Sequence, residues 1–139
     1  MNRVVPILMV AAWSLFAMGQ QPQVRQIPAE NTSAFSGEEM YMSYCASCHG
    51  RQGRGDGPAA PALKPSPSDL TRLARGHNGK FPYDLVYQAI RTGPNIPAHG
   101  SADMPVWGPI FHSLVNGHSD DTHLRIVNLT KYIEKLQTR

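Results

Sequence analysis

With 139 residues and 15.3 kDa the chain has length for one domain, and a small one whose own apolar core is modest. The formal net charge is only +3, with no concentrated Lys/Arg stripe and no aromatic platform beside one, which excludes nucleic acid as the main ligand. Twelve glycines and twelve prolines imply long loops, more than a sheet or a helical bundle uses.

Residues 1–19 have the anatomy of a secretory signal peptide. Arg3 is the positive start, residues 4–18 are largely apolar, and Ala17-Met18-Gly19 forms a small-x-small cleavage site before Gln20. The apolar run is shorter than the 18 or more residues of a spanning helix and contains Pro6. Cleavage near Gly19 and export to the periplasm are therefore expected over a retained membrane anchor. The leader has no cysteine for lipid attachment. Residues 20–35 mix Gln, Pro and polar side chains without a period and read as a flexible N-terminal segment, leaving residues 36–139 as the folded domain.

Ser36 followed three residues later by Glu39 is a capping box, so a helix is predicted from Gly37. It runs into Cys45-Ala46-Ser47-Cys48-His49, and C-x-x-C-H reads as a c-type haem attachment site. Helical spacing explains the pattern: positions three and four apart project from neighbouring parts of one turn, presenting two thiols and an imidazole to one porphyrin. Each thiol forms a thioether with a haem vinyl group, and His49 takes the iron through one ring nitrogen. A thioredoxin-like dithiol needs a strand leading into it, whereas residues 37–44 read as helix. A structural zinc site wants four ligands, and no second C-x-x-C or H-x-x-x-H pair exists.

From Gly50 the chain becomes a glycine-rich and then proline-rich loop. It lacks the preceding strand and the Lys-Ser/Thr of a phosphate cradle. A metal-bound histidine normally donates its other N–H to a fixed acceptor. Pro61 is the first candidate to offer that carbonyl and Pro58 the second; the competing reading is that both only stiffen the loop. Residues 68–74 suggest a short capped helix or turn ended by Gly76. Residues 82–91 carry an apolar stripe at Tyr83, Val86, Tyr87 and Ile90, with proline in the first turn and Gly93 beyond the end, a helix predicted to lie beside the haem.

A second loop, containing His99, leads to Met104-Pro105-Val106-Trp107. Of the six methionines, Met1, Met9 and Met18 lie in or beside the leader, and Met40 and Met42 sit on the haem-bearing helix. Only Met104 has enough intervening chain to reach the opposite face of the ring from His49. A thioether sulfur paired with histidine raises the potential relative to two histidines. Against this stand ordinary core filling by Met104 and ligation by His99, His112, His118 or His123. Residues 105–115 suggest a short helix with Trp107 and Phe111 on one side, Trp107 serving the core or the haem edge. Asp120 or Asp121 is expected to cap a last helix bearing Leu124, Val127, Leu129, Tyr132, Ile133 and Leu136, with Arg125, Lys131, Glu134 and Lys135 between them.

In this order, C-x-x-C-H-G, Gly/Pro-rich loop, Asp-Leu, amphipathic helix and Met-Pro-x-Trp, the chain resembles the small bacterial monohaem cytochromes c of class I, His/Met-ligated type, over about residues 36–136. The resemblance implies an all-α cytochrome c fold of about three to five helices, with long Gly/Pro-rich loops wrapped around one covalently attached haem c. It implies thioethers at Cys45 and Cys48, axial ligands His49 and Met104, and a helix with Gly37 and Tyr41 crossing one with Tyr132. Arg72, Arg75 and Lys80 receive no role. The function implied is that of a periplasmic one-electron carrier, a monomer passing charge between redox proteins and docking on a membrane redox complex. Two other readings stand beside it: a haem enzyme or gas/peroxide sensor with an open sixth position, and a haem subunit of a larger membrane-associated redox complex.

Overall fold

The structure, a computed structural model, describes residues 29–93 and 104–138; the expected signal peptide, residues 20–28 and the loop with His99 lie outside the described residues. In chain order the helices are α1 (Gly37–Tyr44), α2 (Ala46–His49), α3 (Tyr83–Thr92), α4 (Trp107–Leu114) and α5 (Ser119–Lys135). Short 3₁₀ turns occupy Ala60–Ala62, Leu70–Arg72 and Arg75–His77. No strand occurs among the described residues, and the expected all-α class holds.

The start of α1 is where the capping pattern puts it: the Glu39 N–H donates to Ser36 Oγ at 3.1 Å. Only half of the box forms, because the Glu39 carboxylate accepts from the Ser33 N–H at 3.4 Å instead. The helical ladder continues across Cys45, whose N–H reaches the Tyr41 carbonyl at 2.9 Å while His49 N–H reaches the Cys45 carbonyl at 2.8 Å. α1 and α2 thus behave as one slightly broken rod.

α1 packs across α5. Gly37 sits at the crossing, where a Cβ would run into the Asn128 carbonyl and the Tyr132 Cβ, so only glycine lets the two backbones approach. One turn on, the Tyr41 and Tyr132 rings meet at 5.2 Å and 44°. The core continues through Met40, Ile90, Phe111, Ile126, Leu129 and Ile133, all buried. Each such side chain contributes about 1.5–3 kcal/mol relative to an exposed one. α3 adds Val86, Ala89 and Ile90, while Tyr83 and Tyr87 of its expected stripe are only half-buried. α4 forms despite Pro109, which occupies the first turn, where a missing N–H breaks no helical bond. Its Trp107 stacks on Phe111 at 5.5 Å and lies 4.9 Å from the Tyr44 ring.

Several local expectations need correction. His118, not an aspartate, is the cap residue of α5; Asp120 and Asp121 lie in its first turn, where carboxylates face the positive end of the helix dipole. The turn after Asp69 does not stop at Gly76 but runs through the third 3₁₀ turn, Arg75–His77, to Asn78 in the left-handed region. Arg125, expected among the solvent-facing positions of α5, is 4% exposed. Its guanidinium donates to Asn31 Oδ1 (2.9 Å), Thr32 Oγ1 (3.2 Å) and the Thr32 carbonyl (2.7 Å), and lies 6.0 Å above the Phe111 ring. Asn128 Nδ2 donates to the Ala34 carbonyl at 2.8 Å, and Tyr44 Oη is 2.8 Å from Thr32 Oγ1. The described part of the expected flexible segment, residues 29–35, is therefore a strap bonded to α1 and α5.

Candidate functional site

The two thiols and the imidazole of the motif stand on the single turn that joins α1 to α2. Cys45 is buried, Cys48 and His49 are half-buried, and both cysteines are free thiols. Burial pushes the Cys45 thiol up to about 12, with neighbouring Cys48 adding to the shift. A redox dithiol or a zinc thiolate needs the opposite, a thiol that ionises easily. Among the described residues no group of three or more His, Cys, Asp or Glu side chains converges on a position for a metal ion. The turn therefore lacks the donor set of zinc and keeps what haem attachment requires: two reduced thiols and one imidazole on one turn.

The imidazole is oriented from outside its own helix. Its Nδ1 lies 3.0 Å from the Ser68 carbonyl, and because a carbonyl only accepts, Nδ1 carries the proton and Nε2 is the nitrogen with the lone pair. The acceptor sought at Pro61 or Pro58 is thus Ser68, beyond the proline segment. The loop is folded back to put it there. Gly55 N–H donates to the His49 carbonyl at 2.8 Å, Gly57 N–H to the Cys48 carbonyl at 3.1 Å, and Leu70 N–H to the Gly53 carbonyl at 2.7 Å. The reversal begins at Gly50, whose φ of 78° belongs to the region that favours glycine. The Gly50 carbonyl then accepts from the buried Tyr41 hydroxyl at 2.7 Å. Tyr41 was expected only as a core residue; its second role, pinning the turn after His49, carries no sequence signal of its own.

Met104 is half-buried, packed against the core at the entry to α4. Of the rival histidines, His112, His118 and His123 are exposed, and His123 Nδ1 is 2.9 Å from the Tyr87 hydroxyl; His99 is outside the described residues. Trp107 is in the core, 7% exposed, as its ordinary packing role requires.

Comparison with curated proteins and with solved structures returns no match for this chain. The family described as cytochrome C oxidase, cbb3-type, subunit III matches residues 32–113, more than half of the chain. The matched stretch starts within the strap, at Thr32, and runs through the C-x-x-C-H turn, the folded-back loop and α3 into α4, leaving α5 beyond its end. A C-x-x-C-H turn with an oriented imidazole, inside a match of that extent, makes the chain a member of the cytochrome c oxidase, cbb3-type, subunit III family, a small c-type cytochrome with one covalently held haem.

Proposed function

We propose that the protein is an exported one-electron carrier of the periplasm in which Cys45 and Cys48 hold the haem by thioethers and His49 and Met104 are its axial ligands. When bound, the haem supplies an iron centre that gains and loses one electron. The observation that carries the reading is the hydrogen bond from His49 Nδ1 to the Ser68 carbonyl, which fixes the ring and leaves Nε2 as the basic nitrogen beside the two thiols. Met104 is supported by its half-buried place in the core and by the exposure of His112, His118 and His123. With protein donors on both sides the iron has no position for a substrate, so these residues hold and tune charge rather than transform a molecule. Cleavage of residues 1–19 and release into the periplasm rest on the leader pattern.

The test is the sixth position. Wild-type holoprotein should show a low-spin absorption spectrum indifferent to cyanide over minutes. Met104→Ala should turn it high-spin, bind cyanide at once and lower the midpoint potential. An unchanged ferric spectrum in that variant overturns Met104 as ligand, and immediate cyanide binding by the wild type favours an open-site enzyme or sensor.

A second reading is a haem subunit held in a larger redox complex, and the family's description as an oxidase subunit favours it. Among the described residues no helix is long and apolar enough to cross a membrane. Gel filtration of extracts separates the two: a free carrier elutes as a small monomer, a subunit with its complex.

A further inference from the structure

The bases that look scattered in the sequence are gathered by the fold. Residues 50–80 carry Arg51, Arg54, Lys64, Arg72, Arg75 and Lys80, all exposed, against Asp56 and Asp69, a net charge of +4. The Asp69 carboxylate is engaged by the Thr71 N–H at 2.9 Å and hydroxyl at 2.6 Å. The rest of the described chain has four bases and seven acids, a net charge of −3, and one of those bases, Arg125, is buried. The two signs are therefore segregated along the chain, and the loop that carries most of the bases is folded back on itself. The bond from Leu70 N–H to the Gly53 carbonyl sets the Arg51–Arg54 turn beside Arg72. Thr138 N–H donates to the Thr71 carbonyl at 2.9 Å, and Gln137 bonds Ala74 N–H and the Leu70 carbonyl, so the end of α5 closes against the same turn. Between them opens a groove of about 610 Å³, lined by Arg75, Gly79 and Phe81 on one side and Glu134, Gln137 and Thr138 on the other. Arg72 and Lys80 flank that lining in sequence. The same loop supplies the Ser68 carbonyl to His49.

We infer that this band, centred on Arg72, Arg75 and Lys80 around the groove, is the docking face for an acidic redox protein. The inference rests on the carrier reading above and adds which surface meets the partner and what charge that partner presents. A concentrated field of one sign steers a partner of the other and raises its encounter rate, an effect that salt removes. An anionic lipid surface is the other ligand of such a field, but membrane-lying faces insert apolar side chains among their bases. Among the described residues the exposed large apolar side chains are Phe35, Leu85 and Val106, all outside the band.

The experiment uses holoprotein on gold coated with a carboxylate-terminated film. Wild type should adsorb and give a reversible haem wave at about 10 mM ionic strength, and lose it near about 0.5 M, where screening acts within a few ångströms. Arg72→Glu/Arg75→Glu should lower the adsorbed electroactive protein at least about tenfold, while Arg91→Glu/Lys131→Glu, the same change in net charge, should stay within about twofold. Equal losses in the two double variants overturn the inference, since net charge and not place would then decide. Wild type that ignores the film but co-sediments with vesicles of phosphatidylglycerol and phosphatidylcholine overturns it in favour of a lipid surface. Arg72→Gln/Arg75→Gln repeats the test without added carboxylates, and each variant's visible spectrum checks its fold. A haem wave from protein diffusing at a hydroxyl-terminated film, kept by every variant, separates failure of the docking face from failure of the carrier reading.

Discussion

The group that orients His49 is a main-chain carbonyl, and that is why the sequence points to the histidine but not to its partner. Every residue carries such a carbonyl, and only the fold brings that of Ser68 to 3.0 Å from Nδ1. Tyr41 illustrates the converse, a side chain legible as apolar core whose hydroxyl does separate work. It is fully buried, donates to the Gly50 carbonyl, and burial raises its pKa far above that of an ordinary phenol, with Cys45, Tyr132 and Asp56 adding. Were Cys45 held as the proposed thioether, burial would remain the main cause. Tyr41→Phe should cost about 1–2 kcal/mol at neutral pH by stranding that carbonyl. A raised folded-state value stabilises the fold fully below the unfolded value of about 10, and this contribution is lost as pH rises through the folded value. Wild type should therefore lose stability above about pH 10, and the gap to Tyr41→Phe should shrink. Urea unfolding followed by far-UV circular dichroism at neutral pH and near pH 11 measures both; a gap independent of pH would show that the phenol does not ionise on unfolding.

Among the elements, those written in local patterns are where the sequence puts them. Ser36 caps α1, the stripe of α3 begins after Pro82, and α5 buries Leu129 and Ile133 as its spacing requires. What local pattern misses is the strap at residues 29–35, because its side chains are polar and aperiodic and its hold on the fold runs through one buried cation. An arginine between apolar positions of a helix reads as solvent-facing. Arg125 is instead enclosed, with neutral oxygens of Asn31 and Thr32 as its partners and its Nε without one among the described residues. Hydrogen bonds to a charged, desolvated group are worth about 1.5–3 kcal/mol each. Thr32→Val, which removes an oxygen shared by Arg125 and Tyr44 while keeping the shape, should destabilise the holoprotein by about 2 kcal/mol, and Arg125→Met by a similar amount or less. The double variant should fall short of the sum by about 1 kcal/mol or more. Strict additivity in denaturant unfolding would mean that the strap and the cation are not one unit, and residues 29–35 would revert to a mere lead-in.

For the whole molecule, the helices alone are too short to account for the fold. α1, α3 and α4 have 8, 10 and 8 residues and α2 has 4, all below the roughly 12–15 at which an isolated helix becomes even marginal in water. Among the described residues only α5, with 17, exceeds that length. The loop between α2 and α3 holds nothing longer than three-residue 3₁₀ turns, and it is fastened at one end to His49 and at the other to the tail of α5. A domain of this size with so much loop has a modest core, and the haem adds a large apolar body to it. The covalent group is thus a structural member as well as a redox centre. Cys45→Ala/Cys48→Ala protein produced without attached haem should lose roughly half or more of its helical signal, because only α5 persists unaided, and should unfold without a sigmoidal transition. The holoprotein should unfold cooperatively. Far-UV circular dichroism during a thermal ramp, supported by calorimetry, distinguishes the two states, and a haem-free variant with native helicity and a sharp transition would show that the polypeptide alone specifies the fold.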